Sequence, residues 1–188
     1  MKICILGTGS WGTALAQVLA DNKQEVIMWG IDPCEVEDIE VNHHNTKFFE
    51  TEINHDIHAS TDLSVVADAD VVLAAVPTMA IEEVLTKASQ HLTKPAIIIN
   101  VAKGFHPVTH ERLSVVISKI VPTEKCAAIV SLIGPSHAEE VIQRLMTSVN
   151  AVSDNEEAAK TVQHLFSNQY FRVYRNSDVI GAAIGVAI

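Results

Sequence analysis

The chain has 188 residues, near the size of one ordinary domain, and hydrophobic residues make up 48% of it, enough for a sizeable core. Its 13 lysines and arginines against 23 aspartates and glutamates give a formal charge of −10, which argues against nonspecific binding to nucleic acid or to an anionic membrane. No run approaches the ~20 apolar residues of a membrane span, MKICILG lacks signal-peptide architecture, and the three cysteines form no CxxC pair, so a cytoplasmic protein without disulfides is expected.

Short apolar runs alternate along the chain with longer amphipathic ones. Several of the short runs are β-branched and free of charge, as in strands that are buried on both faces. The alternation predicts βαβ units and an α/β fold with a doubly wound, mostly parallel sheet and helices on both of its faces. Strands are predicted at 2–6, 25–29, 71–75, 96–100, 127–133, 147–151 and 171–174, and helices at 11–22, 78–90, 110–121, 136–145 and 155–166.

The stretch 42–58, NHHNTKFFETEINHDIH, has no clear period and is interpreted as a loop. It holds four of the nine histidines, but no HxH or HxxxH pair falls on a predicted element. Because a metal site needs three or four converging ligands, solvent-exposed loop histidines are expected there and no metal site.

A glycine-rich turn follows the first predicted strand. Gly7, Gly9 and Gly12 form the pattern G-x-G-x-x-G between a strand and an amphipathic helix, the context that a dinucleotide-binding turn requires. Gly7 would permit the tight turn, Gly9 would let the backbone approach a pyrophosphate, and Gly12 would let helix and strand pack closely. The helix N-terminus at Trp11 would then face the anion. The alternative is a glycine-rich turn without a ligand.

A carboxylate follows the second predicted strand, which ends at Trp29. Asp32 lies 20 residues after Gly12, about where an acid accepts the adenosine ribose hydroxyls and repels a 2′-phosphate. Asp32 is equally well placed to cap the turn before Pro33. Both interpretations remain open at this point.

Other strand ends carry further candidate residues. Val76 and Pro77 follow the strand at 71–75, where Thr78 suits a helix N-cap, and they form either a simple turn or a cofactor contact. Lys103 follows the strand at 96–100, where a lysine can hold a phosphate or polarise a carbonyl. Gly134 and Ser136 follow the strand at 127–133. SHAE, residues 136–139, matches a capping box, and the same helix N-terminus could bind a substrate phosphate.

These segments together resemble the bacterial NAD(P)-dependent sn-glycerol-3-phosphate dehydrogenases. The resemblance rests on LGTGSWGTALA, AAVPTMAIEEVL, VAKGF, GPSHAEEV, LFSNQYFRVYRNSD and DVIG, which occur in the family's order and cover essentially the whole chain. It implies a Rossmann-like domain over residues 1–176, with 177–188 starting the helix that leads to a helical substrate domain. It also implies the interconversion of dihydroxyacetone phosphate and sn-glycerol 3-phosphate with NAD(P)H, which supplies glycerol phosphate for phospholipid synthesis.

The resemblance also implies roles for individual residues. Ser10, Trp11, Lys103 and Ala138 would contact the cofactor, and Lys103, Gly134 and Ser136 would contact the substrate. After the second strand the family often carries a basic residue that can hold the 2′-phosphate of NADP. Here Ile31 and Asp32 occupy this part of the cofactor site, and neither can form a charge-assisted bond to phosphate, so NAD is favoured slightly over NADP unless a distant cation such as Lys47 intervenes.

The end of the chain is the second departure from the family. The family continues from DVIG as VELGGALKN, whose lysine transfers the proton; here Ala183 replaces the glutamate, Val186 replaces the second glycine, and the lysine would fall immediately after Ile188. No catalytic residue is therefore assigned, and cofactor binding with little turnover is expected. The alternatives are a non-catalytic dinucleotide-binding module and one half of a split enzyme, with a C-terminal half or a second copy as partner.

Overall fold

The uncharged apolar runs form the inner strands of a single sheet. The computed structural model describes residues 1–102 and 104–185. The strands are β1 Lys2–Leu6, β2 Glu25–Trp29, β3 Ile57–Ser60, β4 Val71–Ala74, β5 Ala96–Asn100, β6 Cys126–Ile133, β7 Thr147–Val152 and β8 Phe171–Asn176. The helices are α1 Ser10–Asp21, α2 Pro33–Asn42, α3 Ile81–His91, α4 Leu113–Ile120, α5 Ala138–Ile142, α6 Glu156–Phe166 and α7 Val179–Gly185.

The strand order is β3-β2-β1-β4-β5-β6-β7-β8. Every neighbouring pair is parallel except β6 and β7, which are antiparallel. The predicted doubly wound, mostly parallel sheet is therefore confirmed. The order reverses between β1 and β4, and in such sheets the ligand crevice lies outside the carboxyl ends of the strands at this reversal.

Two hydrophobic cores lie on opposite faces of the sheet. In β1, Ile3 and Ile5 point into one core and Cys4 and Leu6 into the other, and all four are fully buried. The first core packs under α1, α5 and α6, and the second under α3 and α4. This explains why β1 is apolar without alternation. Along the part of the chain that the structure describes, no helix has the length and apolar character needed to cross a membrane.

Two elements were not predicted from the sequence. Helix α2 buries only Val36 and Ile39, and its other residues are largely polar, so its apolar period is faint. Strand β3 is a four-residue strand at the edge of the sheet. The predicted loop therefore extends only from residue 43 to residue 56. Of its histidines, His55 is exposed, His43 and His44 are half-buried, and His58 is exposed on β3.

Three helices begin two or three residues later than predicted. Helix α3 begins at Ile81 because Thr78–Ala80 forms a 3₁₀ turn, and α4 begins at Leu113 because His110 adopts a left-handed conformation with φ 55°. Helix α5 has only five residues. The N-caps of α4 and α5, Arg112 and His137, are extended, so the predicted first residues of these two helices lie before the helix.

Candidate functional site

The turn between β1 and α1 needs two of its glycines for its own folding. Gly7 has φ +119°, and a Cβ added to it would lie 2.8 Å from the Ala75 carbonyl oxygen. A Cβ on Gly12 would lie 2.6 Å from the Gly7 carbonyl oxygen. The turn and packing roles expected for Gly7 and Gly12 are confirmed, since a side chain at either position would collide with backbone.

Gly9 differs from both of these glycines. It has φ −67° and ψ 173°, values open to any residue, and no heavy atom lies within 4 Å of an added Cβ. Gly9 is also the N-cap of α1, where no side chain caps the helix and no acid lies in the first turn. By contrast, α2 and α6 have side-chain caps and acidic first turns. The first amides of α1 are thus left for an outside acceptor.

A groove runs across the carboxyl ends of β1 and β4 in two connected clefts, of about 550 Å³ and 430 Å³. Both clefts are lined by Gly9, Ala75, Val76 and Pro77, so they form one continuous depression. The first cleft, which we call the α5 cleft, extends to Ser136–Glu139; the second, the β2 cleft, extends to residues 29–32, Glu35, Lys47 and Phe48.

Most of the candidate residues line this groove. Ser10, Trp11, Ser136 and Ala138 line the α5 cleft, and Gly7, Ile31 and Asp32 line the β2 cleft. Gly134 is buried behind the groove, where an added Cβ would lie 3.0 Å from the Val149 Cα. Lys103 lies outside the described residues. Val76 and Pro77 touch both clefts, which favours a cofactor contact over a simple turn.

Asp32 caps α2 and also lines the β2 cleft. Its Oδ1 accepts a hydrogen bond of 2.9 Å from the Cys34 amide, and Pro33 occupies the first helical position. The capping interpretation is confirmed. Because Asp32 is also one of the residues that line the cleft, capping leaves the ribose interpretation open.

Two predicted caps are wrong. The 136–139 capping box does not form: His137 is the N-cap of α5, and the Ser136 hydroxyl lies 3.4 Å from the Gly134 carbonyl oxygen. Thr78 is not the N-cap of α3, because it starts the 3₁₀ turn that precedes this helix. Thr78 lies within that turn and Ser136 lies one residue before the N-cap, so neither hydroxyl occupies the position that a cap requires.

Sequence reasoning missed a polar network behind the glycine-rich turn. The Asn45 side-chain amide donates to the Thr8 carbonyl oxygen and to the Thr13 hydroxyl, both at 2.8 Å. The Thr8 hydroxyl donates to Glu35 Oε2 at 2.6 Å, and Lys47 Nζ contacts Glu35 Oε1. These contacts join residues 12 to 37 positions apart, and no local pattern marks them.

The β2 cleft is lined by both aromatic and acidic side chains, the acids being Asp32 and Glu35. Phe48, which is 39% exposed, lines the β2 cleft together with Trp29. Within the ranges 1–102 and 104–185, no group of three or more His, Cys, Asp or Glu side chains is arranged to hold a metal ion.

The two connected clefts can hold an elongated ligand, with its anionic centre over Gly9 and its flat, apolar ends in the α5 cleft and the β2 cleft.

Residues 2–159 match the family model described as the N-terminus of NAD-dependent glycerol-3-phosphate dehydrogenase. The chain is 47% identical to a glycerol-3-phosphate dehydrogenase [NAD(P)+] of Enterococcus faecalis and 48% identical to that of Streptococcus uberis. Each alignment covers 100% of this chain and 56% of the relative, so the chain spans about half the length of the curated relatives it matches.

Solved structures give the same picture. A Coxiella burnetii glycerol-3-phosphate dehydrogenase superposes with a TM-score of 0.85 at 31% identity, over 98% of this chain and 56% of that one. A UDP-sugar dehydrogenase from Pyrococcus horikoshii, 14% identical with a TM-score of 0.76, shares the fold alone. The resemblance noted in the sequence is therefore confirmed, and the chain belongs to the family of the NAD-dependent glycerol-3-phosphate dehydrogenase N-terminus.

Proposed function

We propose that this chain is the dinucleotide-binding part of an NAD(P)-dependent glycerol-3-phosphate dehydrogenase, which interconverts dihydroxyacetone phosphate and sn-glycerol 3-phosphate. The observation that carries the proposal is Gly9. Neither its backbone angles nor its surroundings demand a glycine, yet it stands at the N-cap of α1, whose first amides have no side-chain cap. A ligand that approaches the backbone closely accounts for a glycine at this position.

The residues of the groove fit a dinucleotide. The first-turn amides of α1 would hold the pyrophosphate. Asp32 would accept ribose hydroxyls beside Ile31 in the β2 cleft, while Trp11, Val76, Pro77 and Ala138 would enclose the nicotinamide end. When bound, the cofactor supplies the hydride chemistry, and the protein fixes its orientation.

The substrate would lie at the far end of the α5 cleft. Ser136 is 8% exposed at the floor of that cleft, and Gly134 holds the strand end against β7. Lys103 follows β5 in sequence, and we assign it, from the family resemblance, to both cofactor and substrate. Its ammonium would neutralise a phosphate group.

We further propose that residues 1–176 form the cofactor-binding domain and that 177–188 lead into a substrate domain. Helix α7 buries none of its residues, and Ile180 in it is 60% exposed. The natural partner of α7 is then the C-terminal half found in the longer relatives.

A cytoplasmic location fits the cysteines, because Cys4, Cys34 and Cys126 are all free thiols.

Titration of the chain with NADH, followed by nucleotide fluorescence, tests the proposal. Gly9→Ala should weaken NADH binding at least about tenfold, because its methyl group occupies the space of the pyrophosphate, and should leave the melting temperature unchanged. Gly185→Ala is the matched control, since its added Cβ is equally free of contacts. No NADH binding by the unmodified chain, or equal binding by the Gly9→Ala variant, would contradict the proposal.

Substrate class needs a separate measurement. Glycerol 3-phosphate and dihydroxyacetone phosphate should alter the fluorescence of the chain–nucleotide complex, while small 2-keto acids at equal concentration should not. A response to 2-keto acids alone would instead favour a dehydrogenase of hydroxy acids.

A further inference from the structure

We propose that Glu35 sets cofactor choice by holding Lys47 away from the ribose 2′ position, which makes the β2 cleft selective for NAD over NADP. This inference rests on the proposed function, since it concerns the adenosine end of the same groove. The inference assigns cofactor discrimination to Glu35, which lies further along the chain than the position after β2 where the family often carries a basic residue.

Lys47 is the cation available to a 2′-phosphate in this cleft. Among the described residues that line it, Lys47 is the only lysine or arginine, and Asp32 and Glu35 are the acids. The Lys47 side chain is 59% exposed, so it has room to reorient, and its Nζ lies 5.5 Å from the centre of the Phe48 ring. A free lysine here could pair with phosphate by charge-assisted hydrogen bonds.

Glu35 is the ion-pair partner of Lys47. One carboxylate oxygen of Glu35 contacts Lys47 Nζ, and the other accepts the 2.6 Å hydrogen bond from Thr8. The Glu35 side chain is only 13% exposed, so it is anchored under the glycine-rich turn while Lys47 comes to it from solvent. The hydrogen bond and the charge of Glu35, with a smaller contribution from Asp32, raise the pKa of Lys47, so the lysine remains a cation at neutral pH.

Two further acidic residues, Glu37 and Asp38, line a second cleft that Lys47 also lines. This cleft, of about 380 Å³, is lined by Asp32 and Glu35 as well. A 2′-phosphate would therefore meet an excess of negative charge and a lysine that is already neutralised. NAD, which has a hydroxyl at this position, escapes this repulsion and can donate to Asp32.

The substitution Glu35→Gln separates charge from structure. Glutamine keeps an oxygen that accepts from Thr8, so the turn should be retained, but it releases the Lys47 ammonium. The dissociation constants of NADH and NADPH are measured by fluorescence titration at fixed ionic strength. The ratio of the two dissociation constants is unaffected by any change that weakens or strengthens the binding of both nucleotides equally.

The unmodified chain should bind NADH more tightly than NADPH. Glu35→Gln should tighten NADPH binding about tenfold and change NADH binding less than about twofold. Adding Lys47→Gln to Glu35→Gln should abolish the gain. Glu35→Ala is the second variant, and it should shift the ratio in the same direction even if the turn loosens, because the ratio reports the 2′-phosphate.

Three results would overturn the inference. The first is an unchanged ratio in both Glu35 variants. The second is a gain that persists in the double variant, which would remove Lys47 from the explanation. The third is tighter binding of NADPH than NADH by the unmodified chain. If that chain binds neither nucleotide, the proposed function itself fails and this inference fails with it.

Discussion

The role of each glycine in the glycine-rich turn follows from the atoms that an added side chain would meet there. Gly7 and Gly12 face backbone atoms and are required by the fold, whereas Gly9 faces open space. The turn is also held from behind by Asn45, which is 1% exposed. Both donors of the Asn45 amide group are used, one on the Thr8 carbonyl oxygen and one on the Thr13 hydroxyl. Asn45 is therefore a positioning residue for the proposed pyrophosphate site.

Replacing Asn45 by alanine should cost about 2 kcal/mol of unfolding free energy, because the buried Thr8 carbonyl oxygen keeps only the long 3.4 Å hydrogen bond from the Thr13 hydroxyl. NADH should also bind about fivefold more weakly, since the amides of the turn are less well fixed. Chemical denaturation and NADH titration measure the two effects. Asn42→Ala is the control: Asn42 is exposed, and its amide donates to Asp38 on the surface of α2. Equal stability of the two variants would contradict the account.

Whether a residue of the site could be predicted depends on how far along the chain its contact partners lie. Gly7, Gly9 and Gly12 form a local pattern beside a strand, and the sequence alone identifies them. Asn45 and Glu35 act on Thr8 from 37 and 27 residues away, through contacts that only the folded chain brings together. The residue-level part of the site was thus predictable where it is local and unpredictable where it is tertiary.

At the level of elements, Asp21 joins three segments that are distant in sequence. It ends α1, and its carboxylate accepts from Arg144 at 2.8 Å and from the Tyr170 hydroxyl at 2.8 Å. Burial alone would raise the pKa of Asp21, but the hydrogen bonds from Arg144, Tyr170 and Asn54 bring it below its usual value. The carboxylate therefore favours the folded state when it is ionised.

Asp21→Asn should lower the unfolding free energy by about 1 kcal/mol at pH 7. Because the folded pKa lies below the unfolded one, the contribution is complete above the unfolded value of about 4 and is lost as the pH falls through the folded value. Urea denaturation should show a smaller difference in unfolding free energy between the unmodified chain and Asp21→Asn at pH 3 than at pH 7. Asp154→Asn, at an exposed carboxylate, is the control. A difference that stays constant or grows in acid would contradict this prediction.

Elements were predictable where burial imposes a continuous apolar run, as in the strands, or a helical period, as in the amphipathic helices. The seven predicted strands are all present, with ends that differ by at most two residues. Helix α2 and strand β3 were missed because they lie at the edge of the sheet and bury few residues. Helix starts were wrong where a turn precedes the helix, since a hydroxyl or a charge beside a strand end suits a cap and a turn equally.

At the scale of the whole molecule, the topology places the groove. The strand order reverses between β1 and β4, and this opens a crevice over the N-terminus of α1. The two halves of the groove lie on either side of Gly9 and Val76. A second depression of about 440 Å³, near Arg112 and Asp178, lies outside this crevice. The proposed dinucleotide site is the groove and not this depression.

Nuclear magnetic resonance of the ¹⁵N-labelled chain during NADH titration tests this central claim most directly, because each amide reports its own surroundings. The account predicts saturable shifts that are largest at Gly9, Ser10 and Trp11, with smaller ones at Asp32 and Ala138 and almost none at Arg112. Shifts centred on Arg112 and Asp178, or no saturable shift at Gly9, would contradict it.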